Sequence, residues 1–536
     1  MKKKMLYPIL LTIIVWAGLF YYYLPAINLQ STEFWNFMIV AVVVAVVINL
    51  WSIIKSLFKK TSGEENQKKG QIKRILLVPL AFAVVYLGGT VLSSPILRAG
   101  AYHNLLKVKI SQFTDDIHEV NYSQIPLLDS DSAAKLAERK MGSMVDMVSQ
   151  YEVSNYFSQI NYMEKPVRVT PLRYGDVVKW ITNRKTGIPG YIRIDMTTQD
   201  VELIRVQPGI RYSPSEHFGR NLYRYLRFHY PTAMFRGFNF EINEEGIPFW
   251  ICPVQEHTIG LFGGRDIKGA VAVNAVTGEH TYYAINNIPQ WIDKVYDAPL
   301  LIEQYDYYGT LKNGFINSVF GQRDCLQTTE GYNYLALDDD VWVYTGVTSV
   351  SGDESNVGFV LMNQRTKETK YYQISGAKEV SAMSSAEGQV QHLGYISTFP
   401  LLLNIGGEPT YFMALKDDAG LVKKYAMVNI QKYQLVATGD TVGECEKVYR
   451  NLMAGSGINT TNEASKKSVS GKIALLKDIV VEGNSFYYII LEGEDNIYEI
   501  EAKDNLEILK KKEGDTVTLV AIPTMQEGIF EVISLK

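Results

Sequence analysis

The apolar positions of this chain follow two periods, and the change between them divides it. Residues 5–24, 34–54 and 75–97 are near-continuous apolar runs. From about residue 130 the runs become short and alternate apolar with polar positions, the period of half-buried strands. Each early run is close to the ~20 residues that cross a ~30 Å hydrocarbon layer. Trp35 and Trp51 flank the second, where interfacial aromatics belong. The first run ends in aromatic residues with no small-residue cleavage site, which argues against a removable signal peptide. The pattern therefore predicts a membrane anchor of three transmembrane helices over residues 1–98.

Downstream, four stretches share one shape: "GYIRIDMTTQDVELIRV" (190–206), "GAVAVNAVTGEHTYYAI" (269–285), "GFVLMNQRTKETKYYQI" (358–374) and the tighter "YAMVNIQKYQLVATG" (425–439). Each alternates on two arms around a polar turn, as a β-hairpin does. A helical stretch and strand-like pieces precede each one. The helices are read at 133–148, 213–228, 308–321 and 379–391, with Ser213, Pro214 and Glu216 as a capping box for the second. The strand pieces include "PVRVTPL", "FNFEI", "IPFWICPV", "YNYLAL", "VWVYTGV", "FPLLLNI" and "PTYFMAL". A helix over one face of a sheet is a sound two-layer core. Recurrence at this spacing predicts four tandem units: 99–207 with its connector, 208–300, 301–375, and 376–455 with a trailing helix that opens at Thr441. Residues 456–468 read as a polar linker, and five short strands over 469–536 predict a small OB-like barrel. The fold class expected is α+β: three transmembrane helices, about four helix-plus-antiparallel-sheet units and a C-terminal all-β barrel.

A helix with antiparallel strands ending in "V·VNAVTGE··YY" resembles the PepSY and cystatin-like domains of bacterial envelope proteins, whose turn often reads Asp/Asn-x-x-Thr-Gly-Glu. The second copy matches at Asn274, Thr277, Gly278 and Glu279. The third keeps Asn363, Thr366 and Glu368 but has Lys367 for the glycine; the first and fourth keep only the shape. The resemblance covers residues 130–440. It implies binding or inhibitory modules outside the membrane, some of which restrain proteases, and not catalysts.

Charge adds a direction. Residues 1–97 hold ten Lys/Arg against three acids, while the rest holds 43 basic and 54 acidic residues. Basic residues concentrate in the N-terminus and in 55–74, which the positive-inside bias places in the cytoplasm. Residues after about 98 are then expected to be extracellular, on a protein of the cell membrane. Lysine-rich composition with few cysteines suits a Gram-positive envelope. Cys252, Cys325 and Cys445 exclude a disulfide scaffold and read as small buried residues, with a Cys325–Cys445 bridge as the alternative.

A search for chemistry finds no catalytic set, no cofactor loop and no metal-spaced His or Cys pattern. Asp338–Asp340 reads either as a cation site or, more simply, as an acidic turn. Asp353, Glu354, Ser355 and Asn356 in one loop, and Glu387 and Gln389 on a helix, are weak binding-surface candidates. The aromatic and arginine run 217–230 reads as an amphipathic helix before it reads as a sugar or peptide surface. The barrel region has seven basic against thirteen acidic residues, so no nucleic acid is expected as a partner. These readings converge on a non-enzymatic, membrane-anchored binding, scaffold or regulatory protein with a protein partner in the envelope and no cofactor. The alternatives are an inhibitor of an extracellular protease and a cell-wall enzyme.

Overall fold

Four antiparallel sheets of the same construction follow one another along the chain. The computed structural model describes residues 2–57, 65–119, 125–350, 355–456, 458, 467–481, 484–503, 505–523 and 528–536. In the first sheet Lys165–Tyr174, Ile188–Asp195 and Val201–Ile210 form a meander, and two short strands, Tyr151–Val153 and Ser158–Tyr162, share the outer edge of Lys165–Tyr174. The second repeats this with Pro248–Ile259, Gly263–Asn274 and His280–Ala284, edged by Met234–Phe235 and Asn239–Ile242. The third uses Asp340–Ser349, Gly358–Asn363 and Thr369–Tyr372, edged by Leu326–Thr328 and Asn333–Leu337. The fourth uses Glu408–Lys416, Val422–Asn429 and Val436–Gly439, edged by Ile396–Ser397 and Leu401–Ile405. The third sheet has one addition. Val108–Ser111 lies parallel beside Thr369–Tyr372, a strand of four residues that periodicity alone does not reveal.

Helices precede the sheets, though two differ from expectation. Ser130–Gly142 is capped by Asp129, whose carboxylate accepts the Ser132 amide at 3.0 Å. Ser213-Pro214-Glu216 starts no helix. The helix is Leu222–His229, capped by Asn221, because Glu216 is buried and accepts from Tyr174 Oη (2.7 Å) and Trp180 Nε1 (2.8 Å) instead of capping a backbone. The third helix is Ala298–Thr310, with Asp297 as cap and Pro299 in the first turn; the expected helix at 308–321 is reduced to a short π-type turn at Asn317–Gly321. Leu300, Leu301, Gln304 and Tyr305 are all buried, so the helix shows no narrow apolar stripe. Glu379–Gln389 and Val442–Gly455 lie on the fourth sheet.

The second sheet explains its own sequence. Trp250, Cys252, Val271 and Val273 belong to a core shared with the first sheet and the helix Leu222–His229. Ile251, Ala270 and Ala272 belong to a second core with helix Ala298–Thr310 and the third sheet. Alternation of Val with Ala therefore marks two packed faces, not a wet and a dry one.

The chain forms two compact units, Met1–Ser111 with Leu128–Lys378, and Gln112–Leu127 with Glu379–Lys536. The second contains the fourth sheet and a closed barrel. In the barrel Lys467–Val481 pairs with both Asn484–Leu491 and Thr516–Pro523, while Ile529–Leu535 pairs with Thr516–Pro523 and lies parallel to Ile497–Glu501. Ile473, Ile489, Tyr498, Ile500 and Leu519 fill it.

The three-transmembrane-helix expectation is not upheld. Among the described residues no single helix is long and apolar enough to cross a membrane. Leu10–Tyr23 and Thr32–Ile48 are apolar stretches of 10–17 residues within the helices Lys2–Tyr23 and Thr32–Leu57. The third run is broken: Leu80–Leu92 and Pro95–His103 satisfy length and composition only together and meet at 48°.

Candidate functional site

The turn of each hairpin is a built device, and the structure shows what its residues do. Asn274 Oδ1 accepts the amides of Val276 (2.9 Å) and Thr277 (3.0 Å), and Thr277 Oγ1 accepts that of Glu279 (3.2 Å). Asn363 does the same to Arg365 and Thr366 (both 2.8 Å), with Thr366 Oγ1 on Glu368 (3.2 Å). The first copy has the same network. Asp195 Oδ1 accepts from Thr197 (2.8 Å) and Thr198 (3.0 Å), and Thr198 Oγ1 from Asp200 (3.3 Å). Asp195 and Thr198 were missed as motif residues because Gln199 stands where the second copy has Gly278. The signal was an Asp-x-x-Thr-x-acid spacing. All three turns put the residue after the threonine in the left-handed region: Gln199 at φ 65°, Gly278 at 80° and Lys367 at 67°. In the fourth copy Asn429 Oδ1 takes Gln431 and Lys432, but its amide reaches Leu435, one residue further on than in the others. That longer loop needs no left-handed residue.

The departures from the common turn carry contacts of their own. Gly278 lies against the Tyr212 ring, where a Cβ has no room. Lys367 accepts left-handed strain, and its Nζ reaches Asp266 of the second sheet at 2.7 Å. Asn363 is buried and donates from Nδ2 to Asp340 Oδ2 (2.8 Å). Asp340 also pairs with Arg365 (2.6 and 2.8 Å). Asp338 and Asp339 form the strand-connecting turn in left-handed backbone (φ 51° and 61°). The acidic triplet is thus a turn whose last member is committed to Arg365. No group of three or more His, Cys, Asp or Glu is placed to hold a metal ion among the described residues.

The weak surface candidates occupy unlike settings. Asp353 and Glu354 lie outside the described residues. Ser355 is exposed and Asn356 fully buried, in a two-residue strand paired with Gly376–Ala377. Glu387 accepts the amide (2.9 Å) and hydroxyl (2.7 Å) of Ser397, and Gln389 is exposed at its helix end. Ser355–Asn356 and Glu387–Gln389 belong to different compact units. The cysteines are free buried thiols, so the Cys325–Cys445 alternative is not realised.

Two other places converge polar groups. The first is a groove of about 200 Å³ lined by Ser154, Tyr156, Arg173, Ser213, Ser215 and Trp250 among others. Tyr156 meets the buried Trp250 edge-on at 5.2 Å, and Trp250 is fixed by donating to the Tyr212 carbonyl at 2.9 Å. Ser213 and Ser215 hydroxyls lie 3.1 Å apart. Burial pushes the Tyr156 phenol up, so it stays a neutral donor. Aromatic floor, hydroxyl rim and one guanidinium are the makings of a small polar-ligand or side-chain pocket.

The second is a buried acid pair. Glu241 and Asp293 are 0% and 1% exposed. Glu241 accepts the amides of Asp293 (3.0 Å) and Lys294 (3.1 Å), and Asp293 Oδ2 accepts that of Asn161 (2.8 Å). Burial pushes the Glu241 carboxyl up to about 7. Burial and the neighbouring Glu241 charge hold Asp293 well above the carboxylate range. The pair therefore retains a proton at neutral pH. It joins the strand Asn239–Ile242 to Ser158–Tyr162 of the first sheet.

No family model and no curated protein matches this chain.

Proposed function

We propose that the protein is a non-enzymatic binding or scaffold protein of the cell envelope, whose repeated PepSY/cystatin-like units present surfaces to a protein partner. The observation that carries this reading is the recurrence of one sheet topology on one Asx-threonine turn, with the motif residues spent on backbone hydrogen bonds. Such residues hold a surface in place and do no chemistry, and stacked repeats make extended binding surfaces. The groove beside Trp250 supplies a place for a partner's side chain. The barrel's strand order, with its first strand closing on the fourth and its third parallel to the fifth, supports the OB-like reading. Exposed Leu10, Ile13, Ile14, Leu80, Val84 and Leu87 support association of the N-terminal helices with lipid.

The test is recovery of the tagged full chain after cross-linking in its host. The expected result is repeated recovery of one envelope protein, reduced when Ser215→Trp fills the groove. Failure to recover any protein reproducibly rejects the reading.

A further inference from the structure

The second and third sheets end in edges built alike, and among the described residues a further strand covers only one of them. Counted from the turn asparagine, Tyr282 and Tyr371 occupy the same position. Tyr371 Oη donates to the Val357 carbonyl (3.1 Å) and Tyr282 Oη to that of Lys268 (3.3 Å). Each ring lies over the glycine that follows, Gly358 and Gly269, where a Cβ meets the tyrosine and the facing strand. On the third sheet this edge carries Val108–Ser111 in parallel, with Ile110 opposite Tyr371 and Val108 opposite Thr369. On the second sheet His280–Ala284 pairs only with Gly263–Asn274, and no strand lies beyond it among the described residues. Thr281, Tyr282 and Ala284 are exposed.

Proteins usually blunt such an edge with charge, proline or a bulge. The first sheet does so: Glu202 pairs with Arg193 and Arg205 with Asp146 along Val201–Ile210, which also contains Pro208. The edge 280–284 has none of the three.

We propose that His280–Ala284 is a strand-addition site that takes an extended segment of a protein partner in parallel orientation, with β-branched aliphatic residues at alternate positions as in Val108 and Ile110. The proposal rests on the binding reading above and specifies the form in which a partner is held. Main-chain hydrogen bonds supply the affinity in such additions, and alternate side chains the selectivity.

The probe is a labelled peptide of residues 105–113, the chain's own edge-covering segment, titrated onto the full chain. A photoreactive residue at the Ile110 position is expected to cross-link within 281–283. N-methylation of alternate peptide amides is expected to weaken binding about tenfold or more, since it removes main-chain donors. Absence of a cross-link in 280–284, or cross-linking confined to 369–372, overturns the proposal. So does a concentration-dependent dimer that protects the amides of 280–284, because a second copy then owns the edge. If the peptide fails while host cross-linking still recovers a partner, strand addition alone is wrong. If the peptide binds and no partner is recovered, the binding reading is the one that fails.

Discussion

At the scale of single residues, the same side chain type has unequal weight in different copies. Asn274 is half-buried and serves only its turn. Asn363 is 1% exposed, serves its turn and also donates to the ion-paired Asp340. Replacing Asn274 with alanine is expected to cost about 1 kcal/mol, the usual cost of losing a local side-chain acceptor. Asn363→Ala is expected to cost about 2–3 kcal/mol, because a buried carboxylate loses a donor as well. Urea unfolding of the two variants checks the order; equal losses would show that the Asp340 contact adds nothing. The glycine in the sequence motif proved less informative than the asparagine. A left-handed backbone is tolerated by Gln199 and Lys367, and Lys367 gains an ion pair with Asp266 there. The turn's hydrogen bonds depend on an Asx acceptor and a threonine hydroxyl, both visible in sequence once Asp is allowed for Asn.

Among elements, the acid pair is the junction with the clearest solution signature. The Asp293 and Glu241 carboxyls have folded pKa values above their unfolded ones. The folded state then binds more protons than the unfolded chain, so the pair's contribution is complete below about pH 4 and is lost as pH rises, that of Glu241 through about 7. Stability is expected to decline over that window. Asp293→Asn should flatten the decline, because an amide keeps the acceptor for the Asn161 amide and cannot ionise. Unfolding midpoints measured from pH 4 to 9 for both forms decide this; a parallel decline in the variant would assign the effect elsewhere. Nothing in the sequence marked Glu241 or Asp293. A glutamate in "FNFEI" reads as the wet face of a strand, and only the packing of Asn239–Ile242 against the first sheet reverses that.

For the whole molecule, the division of the chain into units does not follow sequence order. Residues 112–127 belong with 379–536. Asn404 Nδ2 donates to the Ile117 carbonyl at 2.7 Å, the Gly406 amide to Glu119 at 3.1 Å, and Glu119 also pairs with Arg450. A fragment of residues 379–536 alone leaves buried Asn404 without that acceptor and Arg450 without one of its carboxylates. It is expected to be about 2–3 kcal/mol less stable than the same fragment joined by a flexible linker to 112–127, from the buried polar group and the lost ion pair. Thermal or urea unfolding of the two fragments measures the difference, and equal stability would mean that the segment only rests on the unit.

What the sequence determined by itself is local in origin. Alternation, turn chemistry and their recurrence marked the long strands of four sheets and the five of the barrel, because each rests on neighbours within a few residues. What tertiary structure alone decided is non-local. Helix Ala298–Thr310 is buried on too wide an arc to show a stripe, Glu216 lies inside instead of at a cap, and Val108–Ser111 finds its partner more than 250 residues away. The early apolar runs belong here too. Composition made them resemble spans, and in the third run a bend of 48° separates Leu80–Leu92 from Pro95–His103. Periodicity reports which face of an element is apolar; only packing determines what covers that face, and whether an edge is left open.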